Sequence, residues 1–97
     1  MTTARDRVRE HLLAESVRRG DFILKSGRRS SWFIDSKRTI CSPDTMLDVA
    51  ELILERVPQS ATAIGGLTMG ADGVSFITAG VAATRGVRLR AFSVRKE

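Results

Sequence analysis

The sequence predicts an α/β fold with a parallel sheet core, entered through a helix and a β-hairpin. Three observations carry that expectation. From residue 43 onward the apolar periodicity alternates helix, strand, helix, strand, the pattern of a βαβ unit with a leading helix. Before it, two apolar triplets, Phe22-Ile23-Leu24 and Trp32-Phe33-Ile34, flank a turn signal at Ser26-Gly27. The composition, 42% hydrophobic and 28% charged over 97 residues, is that of a globular chain.

Each element has its own justification. Residues 3–18 read as a helix, with Thr3 as N-cap and Asp6 as a short-armed capping-box partner. Val8, Leu12, Leu13 and Val17 share a broad face, which leaves Arg5, Arg7, Arg9 and Glu10 in water. Arg18 and Arg19 suit the negative end of the helix dipole, and Gly20 the left-handed position after it. The two triplets then form a hairpin with a long basic loop, Trp32 turned toward the core. Residues 43–57 form the clearest helix, with Ser42 as N-cap, Pro43 in the first turn and Pro58 as the stop. Met46, Ala50, Ile53 and Val57 repeat at helical spacing there, widened by Leu47 and Leu54.

"SATAIGG" gives a short strand ending in Gly65 and Gly66, and "LTMGADG" a loop. Residues 72–84 read as a helix with Val74, Ile77 and Val81 on one side, ended by Gly86. "VRLRAFSV" is a strand, with Leu89 and Ala91 buried and Arg88 and Arg90 opposite. The chain thus divides into residues 1–42, helix and hairpin, and residues 43–97, the start of an α/β core. Two parallel strands do not make a stable doubly wound sheet alone, so the chain is expected to be the N-terminal piece of a longer domain.

Sixteen Lys and Arg against eleven Asp and Glu give a formal charge of +5, which favours anionic partners without choosing among them. With one Cys and one His, neither an internal disulfide nor a structural zinc site is expected. "MTTARDRVRE" has no apolar core of a secretory signal, and no apolar run approaches the roughly 20 residues of a membrane span. A cytoplasmic, reducing compartment is the expectation, with no membrane partner. Aromatics are only 5% of the chain and no helix-turn-helix, zinc-finger or RRM signature occurs, so a nucleic-acid partner is not expected.

Three stretches could carry chemistry. "IGGLTMGAD" places glycines between a strand and a helix, where backbone can approach an anion. It is not a Walker A motif, because Ala71 stands where Lys is needed, nor a dinucleotide fingerprint, because Thr68 replaces a glycine. Either it is a non-standard phosphate or substrate loop, or a tight turn with no ligand. "SVRKE" sets Arg95 and Lys96 just past the carboxyl end of the last strand, in the same crevice or as a solvated run. "ILKSGRRSSWFID" is either a small-ligand site or a soluble hairpin tip, with Arg28 and Arg29 ambiguous. Asp35 and Asp72 lie too far apart in sequence to argue as an acid-base pair. His11 has no evident partner and reads as an ordinary helix residue, and Cys41 as a structural thiol.

Taken in order, "GDFILKSGRRSSWFID", "KRTI", a helix, "AIGGLTMGAD" and "RLRAFSVRKE" resemble the N-terminal half of the orotate phosphoribosyltransferase family, over about residues 10–97. The resemblance implies the type I phosphoribosyltransferase fold, with the N-terminal segment forming part of a hood. It also implies a reaction of de novo pyrimidine synthesis: orotate and phosphoribosyl pyrophosphate give orotidine 5′-monophosphate and pyrophosphate, with Mg²⁺ as cofactor. Carried over by motif, Arg95, Lys96, Lys25, Thr68 and Met69 would bind the donor. Lys25, Phe33 and Ile34 would bind orotate. No catalytic residue or metal ligand is assigned in this chain.

The sequence departs from the family pattern at two points in its own residues. Met69 stands where other members carry Lys, and Gly73 where many carry Pro. The family's flexible loop with a catalytic Lys and His, and its later acidic motif for the ribose phosphate, do not occur in these residues. The chain is therefore expected to be inactive alone, and a homodimer by family habit. A phosphoribosyltransferase for another base, or a non-catalytic binding or dimerisation module, is the alternative.

Overall fold

The computed structural model describes residues 1–96; Glu97, the end of the "RKE" run, lies outside the described residues. The first helix, α1 (Ala4–His11), is set by a full capping box: Asp6 N–H donates to Thr3 Oγ1 and Thr3 N–H to Asp6 Oδ2, each at 3.1 Å. Beyond His11 the helix widens into one π-helical turn, Leu12–Ser16, and the chain enters strand β1 (Val17–Ile23) directly. The predicted helix to residue 18 is therefore too long.

The reason is pairing. β1 runs antiparallel to β2 (Arg29–Ile34), with Arg18 opposite Phe33 and Arg19 opposite Trp32. Ser16 C=O accepts from Asp35 N–H at 2.9 Å and extends that ladder. Ladder bonds made by the whole hairpin outweigh the weak helix propensity of Ser16 and Val17. Gly20 accordingly lies inside β1, at a bulge between Arg19 and Phe22, and takes no left-handed cap position. Gly27 does need positive φ (85°): it closes the turn by donating to Leu24 C=O at 2.8 Å, and residues 24–28 make a tighter loop than predicted.

Trp32, expected in the core, is half exposed at 51%, because no other layer covers that face of the hairpin among the described residues. Phe33 instead packs its ring against Phe22, centroids 5.8 Å apart.

A short helix, α2 (Lys37–Ile40), was not foreseen from "KRTI". Its Thr39 is the centre of a buried hydroxyl network. Thr39 Oγ1 meets Ser16 Oγ at 2.6 Å and His11 Nδ1 at 2.9 Å, and Thr45 Oγ1 donates to Thr39 C=O at 2.6 Å. His11 is thus partnered. Helix α3 is Met46–Leu54, shorter than the predicted 43–57. Thr45 makes no side-chain cap, its hydroxyl being turned to Thr39 C=O, and Ser42 acts one turn earlier, its carbonyl accepting from Met46 N–H at 2.9 Å. Arg7, expected in water, binds Asp48 through two bonds of 2.8 and 2.9 Å and ties α1 to α3.

Strand β3 (Ala63–Leu67), helix α4 (Asp72–Thr84) and strand β4 (Arg90–Val94) form the expected unit. The two strands are parallel, in register from Ala63↔Arg90 to Leu67↔Val94. α3 packs on α4, and Arg85 at the end of α4 pairs with Glu51 of α3.

Ala50, Ala82 and Leu89 are the buried apolar residues, and the largest fully buried side chains are Thr39, Thr78 and Ser16. Ala91, expected to be buried, is exposed like the rest of β4, an edge strand of a two-stranded sheet on which α4 packs. The accessible surface is 7509 Å², against about 5,500 Å² for a compact monomer of this mass. The radius of gyration is 15.1 Å, against about 12.5 Å for a closed domain of this length. The excess lies in strands and faces covered on one side only.

Candidate functional site

Parallel β3 and β4 end side by side, so the segments leaving their carboxyl ends start as neighbours. The first is the loop carrying Thr68, Met69 and Gly70; the second carries Arg95 and Lys96. This is the end at which open α/β sheets bind ligands.

Thr68 is held twice. Its N–H donates to Val94 C=O at 2.9 Å, and its hydroxyl donates to Asp72 Oδ2 at 2.6 Å. The other carboxylate oxygen of Asp72 accepts from Ser93 Oγ at 2.7 Å. These two hydroxyls, Thr68 first and then Ser93, hold the Asp72 carboxyl below the usual carboxylate range. The Thr68–Met69 peptide is cis, and the exposed Met69 leads into α4. The helix begins at Asp72, with Gly73 as its second residue.

The two glycines before this loop have steric duties. A β-carbon on Gly65 would collide with the Phe92 carbonyl oxygen and stand 2.6 Å from its ring. One on Gly66 would lie 2.8 Å from Ala71 Cβ. Both glycines are required by strand and helix packing, whether or not a ligand binds.

The hairpin supplies the second part. Arg18, Phe22, Ile23, Leu24, Lys25, Phe33 and Asp35 line a groove of about 440 Å³. Lys25 and Phe33, singled out by motif, come together there; Ile34, next in β2, is not among the lining residues. Arg18 was missed because the helix expectation placed it at a helix end, whereas its strand register opposite Phe33 brings it into the groove. Asp35 lies 3.7 Å from Arg38, while neither Arg18 nor Lys25 forms an ion pair among the described residues. The groove is therefore net cationic, with an aromatic wall. Arg29 pairs with Asp21 at 2.8 Å.

A larger depression, about 710 Å³, lies between Thr62, Ala83, Val87 and Arg90, at the amino ends of β3 and β4 and away from these loops. Among the described residues no group of three or more His, Cys, Asp or Glu gathers as metal ligands.

The whole chain aligns with an orotate phosphoribosyltransferase of Nostoc sp., 31% identical over 97 residues. That alignment takes in 100% of this chain and 47% of the relative. The enzyme of the same name from Streptomyces coelicolor is 34% identical, over 99% of this chain and 53% of its own. The orotate phosphoribosyltransferase of Mycobacterium tuberculosis, solved with Fe(III) dicitrate, superposes with a TM-score of 0.81 at 28% identity. It is matched over 97% of this chain and 55% of its own. By sequence and by fold, the chain corresponds to the N-terminal half of orotate phosphoribosyltransferase.

It has the type I phosphoribosyltransferase fold of those structures, and it spans about half the length of the curated relatives it matches. No protein-family model matches the chain. No described helix is long and apolar enough to cross a membrane.

Proposed function

We propose that this chain is the base- and pyrophosphate-contacting half of an orotate phosphoribosyltransferase. The reaction joins a ring nitrogen of orotate to the anomeric carbon of phosphoribosyl pyrophosphate and releases pyrophosphate. Positive charge builds at the sugar and negative charge on the leaving group. Cations near the pyrophosphate therefore lower the barrier.

The observation that carries the reading is a double coincidence. A chain matching these enzymes over its full length also unites, in one groove, the Lys25 and Phe33 that the family motif marks. Phe33 offers a face to the planar pyrimidine, and Lys25 a counter-charge to its carboxylate. Thr68 and Met69 present loop backbone to the donor, and Arg95 and Lys96 meet its pyrophosphate. Ile34 stands behind Phe33 in β2 and acts on orotate, if at all, through the strand.

Mg²⁺ would arrive with the donor, held by its phosphates, as this ion commonly is at phosphate-transfer and pyrophosphate sites. It would screen their charge on binding. A homodimer in the cytoplasm completes the proposal.

Calorimetry tests it. Orotate should bind the 97-residue chain with uracil and hypoxanthine much weaker, and Mg-pyrophosphate should bind independently of orotate. Equal affinity for all three bases would refute the orotate assignment. Orotate consumption by the chain alone at an ordinary enzymatic rate would refute its status as an incomplete half.

A further inference from the structure

Asp72 presents a puzzle that the proposed function leaves open. A carboxylate beside a loop meant for pyrophosphate should repel the ligand. Yet its two oxygens are each engaged by a hydroxyl, Thr68 at 2.6 Å and Ser93 at 2.7 Å. Those hydroxyls come from different segments. Thr68 opens the loop after β3, and Ser93 belongs to β4, two residues before Arg95. Asp72 itself is the first residue of α4, so it is anchored to neither strand. The bond from Thr68 N–H to Val94 C=O closes the same ring of contacts through the backbone.

From this geometry we infer that Asp72 is a positioning residue that fixes the Thr68–Met69 loop relative to the Arg95-Lys96 segment, so that both meet one diphosphate. The inference rests on the donor site proposed above. Ligand charge is met by the basic segment and by loop backbone, while the carboxylate stays ionised with each of its oxygens already taken by a hydroxyl donor. Severing either arm leaves every proposed ligand-contacting group in place but uncouples the two segments. A ligand that spans them then has to order them on binding, which weakens affinity.

Ser93→Ala removes one arm at an exposed residue, so the fold should survive. In calorimetry on the 97-residue chain, Mg-pyrophosphate affinity should fall about three- to tenfold, the range for one lost hydrogen bond of ordinary net strength at an exposed residue. Asp72→Ala should cost more, and Asp72→Asn should recover part of it, because an amide can still bridge two hydroxyls. Orotate affinity at the hairpin groove should stay unchanged in all three. Equal weakening of orotate and pyrophosphate would mean a general structural role and overturns the inference, as does unchanged pyrophosphate affinity in Ser93→Ala and Asp72→Ala. If the unaltered chain binds orotate but no pyrophosphate, the donor-site reading itself fails, and the inference with it.

Discussion

Gly65 and Phe92 face each other across the parallel strands so closely that a β-carbon on Gly65 would stand 2.6 Å from the Phe92 ring. The obstacle includes strand backbone, which cannot swing aside. Gly65→Ala should therefore destabilise the chain by about 1–3 kcal/mol, the range for overpacking. Urea denaturation measures this directly. Gly73 is the contrast: its added carbon would meet Ile40 and Cys41 at 3.8 and 3.9 Å, ordinary contact distances. Gly73→Ala should stabilise α4 by about 0.5–1 kcal/mol. Opposite signs at the two glycines are the expectation, and a common sign would contradict this steric account.

The hydroxyl network around Thr39 should be costly to break. Thr39→Val keeps the volume but leaves Ser16 Oγ buried without its partner at 2.6 Å. The expected loss is about 1–3 kcal/mol. The same denaturation series would register it, and a neutral result would show that the network is reached by water.

Thr78 offers the reverse case. Its hydroxyl is fully buried on α4, with no hydrogen-bond partner among the described residues. Thr78→Val should raise stability by about 1 kcal/mol, seen as a Tm increase of roughly 4–8 °C for a chain of this size. A fall in Tm would mean that the hydroxyl has a partner.

Asp72 gives a pH signature. Its folded carboxyl titrates below the ordinary 3.8, chiefly because of the Thr68 hydroxyl and then that of Ser93. Its contribution to stability is therefore complete above about pH 3.8 and is lost as pH falls through the folded value. The amide signals of Thr68 and Ser93 should shift together below that pH in NMR titrations, and Asp72→Asn should abolish the shared step. A midpoint above 3.8 would be inconsistent with the hydroxyl bridge.

The elements with long apolar periodicity were legible in the sequence. α4 spans residues 72–84 as expected, and the parallel β3–β4 pair follows from helix alternation alone. The passage from helix to strand at Ser16–Val17 was not legible, because it is decided by ladder bonds to residues 29–35 and by a hydroxyl contact 23 positions away. Local propensity contains neither.

The same holds in the candidate site. Lys25 and Phe33 could be named from motif, whereas Arg18 enters the groove only through register. Sequence alone offers Asp72 no partner, since Asp35 lies too far along the chain to argue as an acid-base pair. Its actual partners are the hydroxyls of Thr68, one helical turn before it, and Ser93, 21 positions on. The Gly65-Gly66 pair read as an opening for a ligand, and the strand and helix alone already require it.

The interior built from Ala50, Ala82, Leu89 and buried hydroxyls has a calorimetric consequence. The heat capacity of unfolding grows with newly wetted hydrocarbon and shrinks with newly wetted polar groups. An ordinary chain of 97 residues would show about 1.2–1.5 kcal/mol/K. Here scanning calorimetry should find clearly less, with a shallow stability curve and a broad melting transition: a fold whose thermal response is set more by hydroxyls and backbone than by oil.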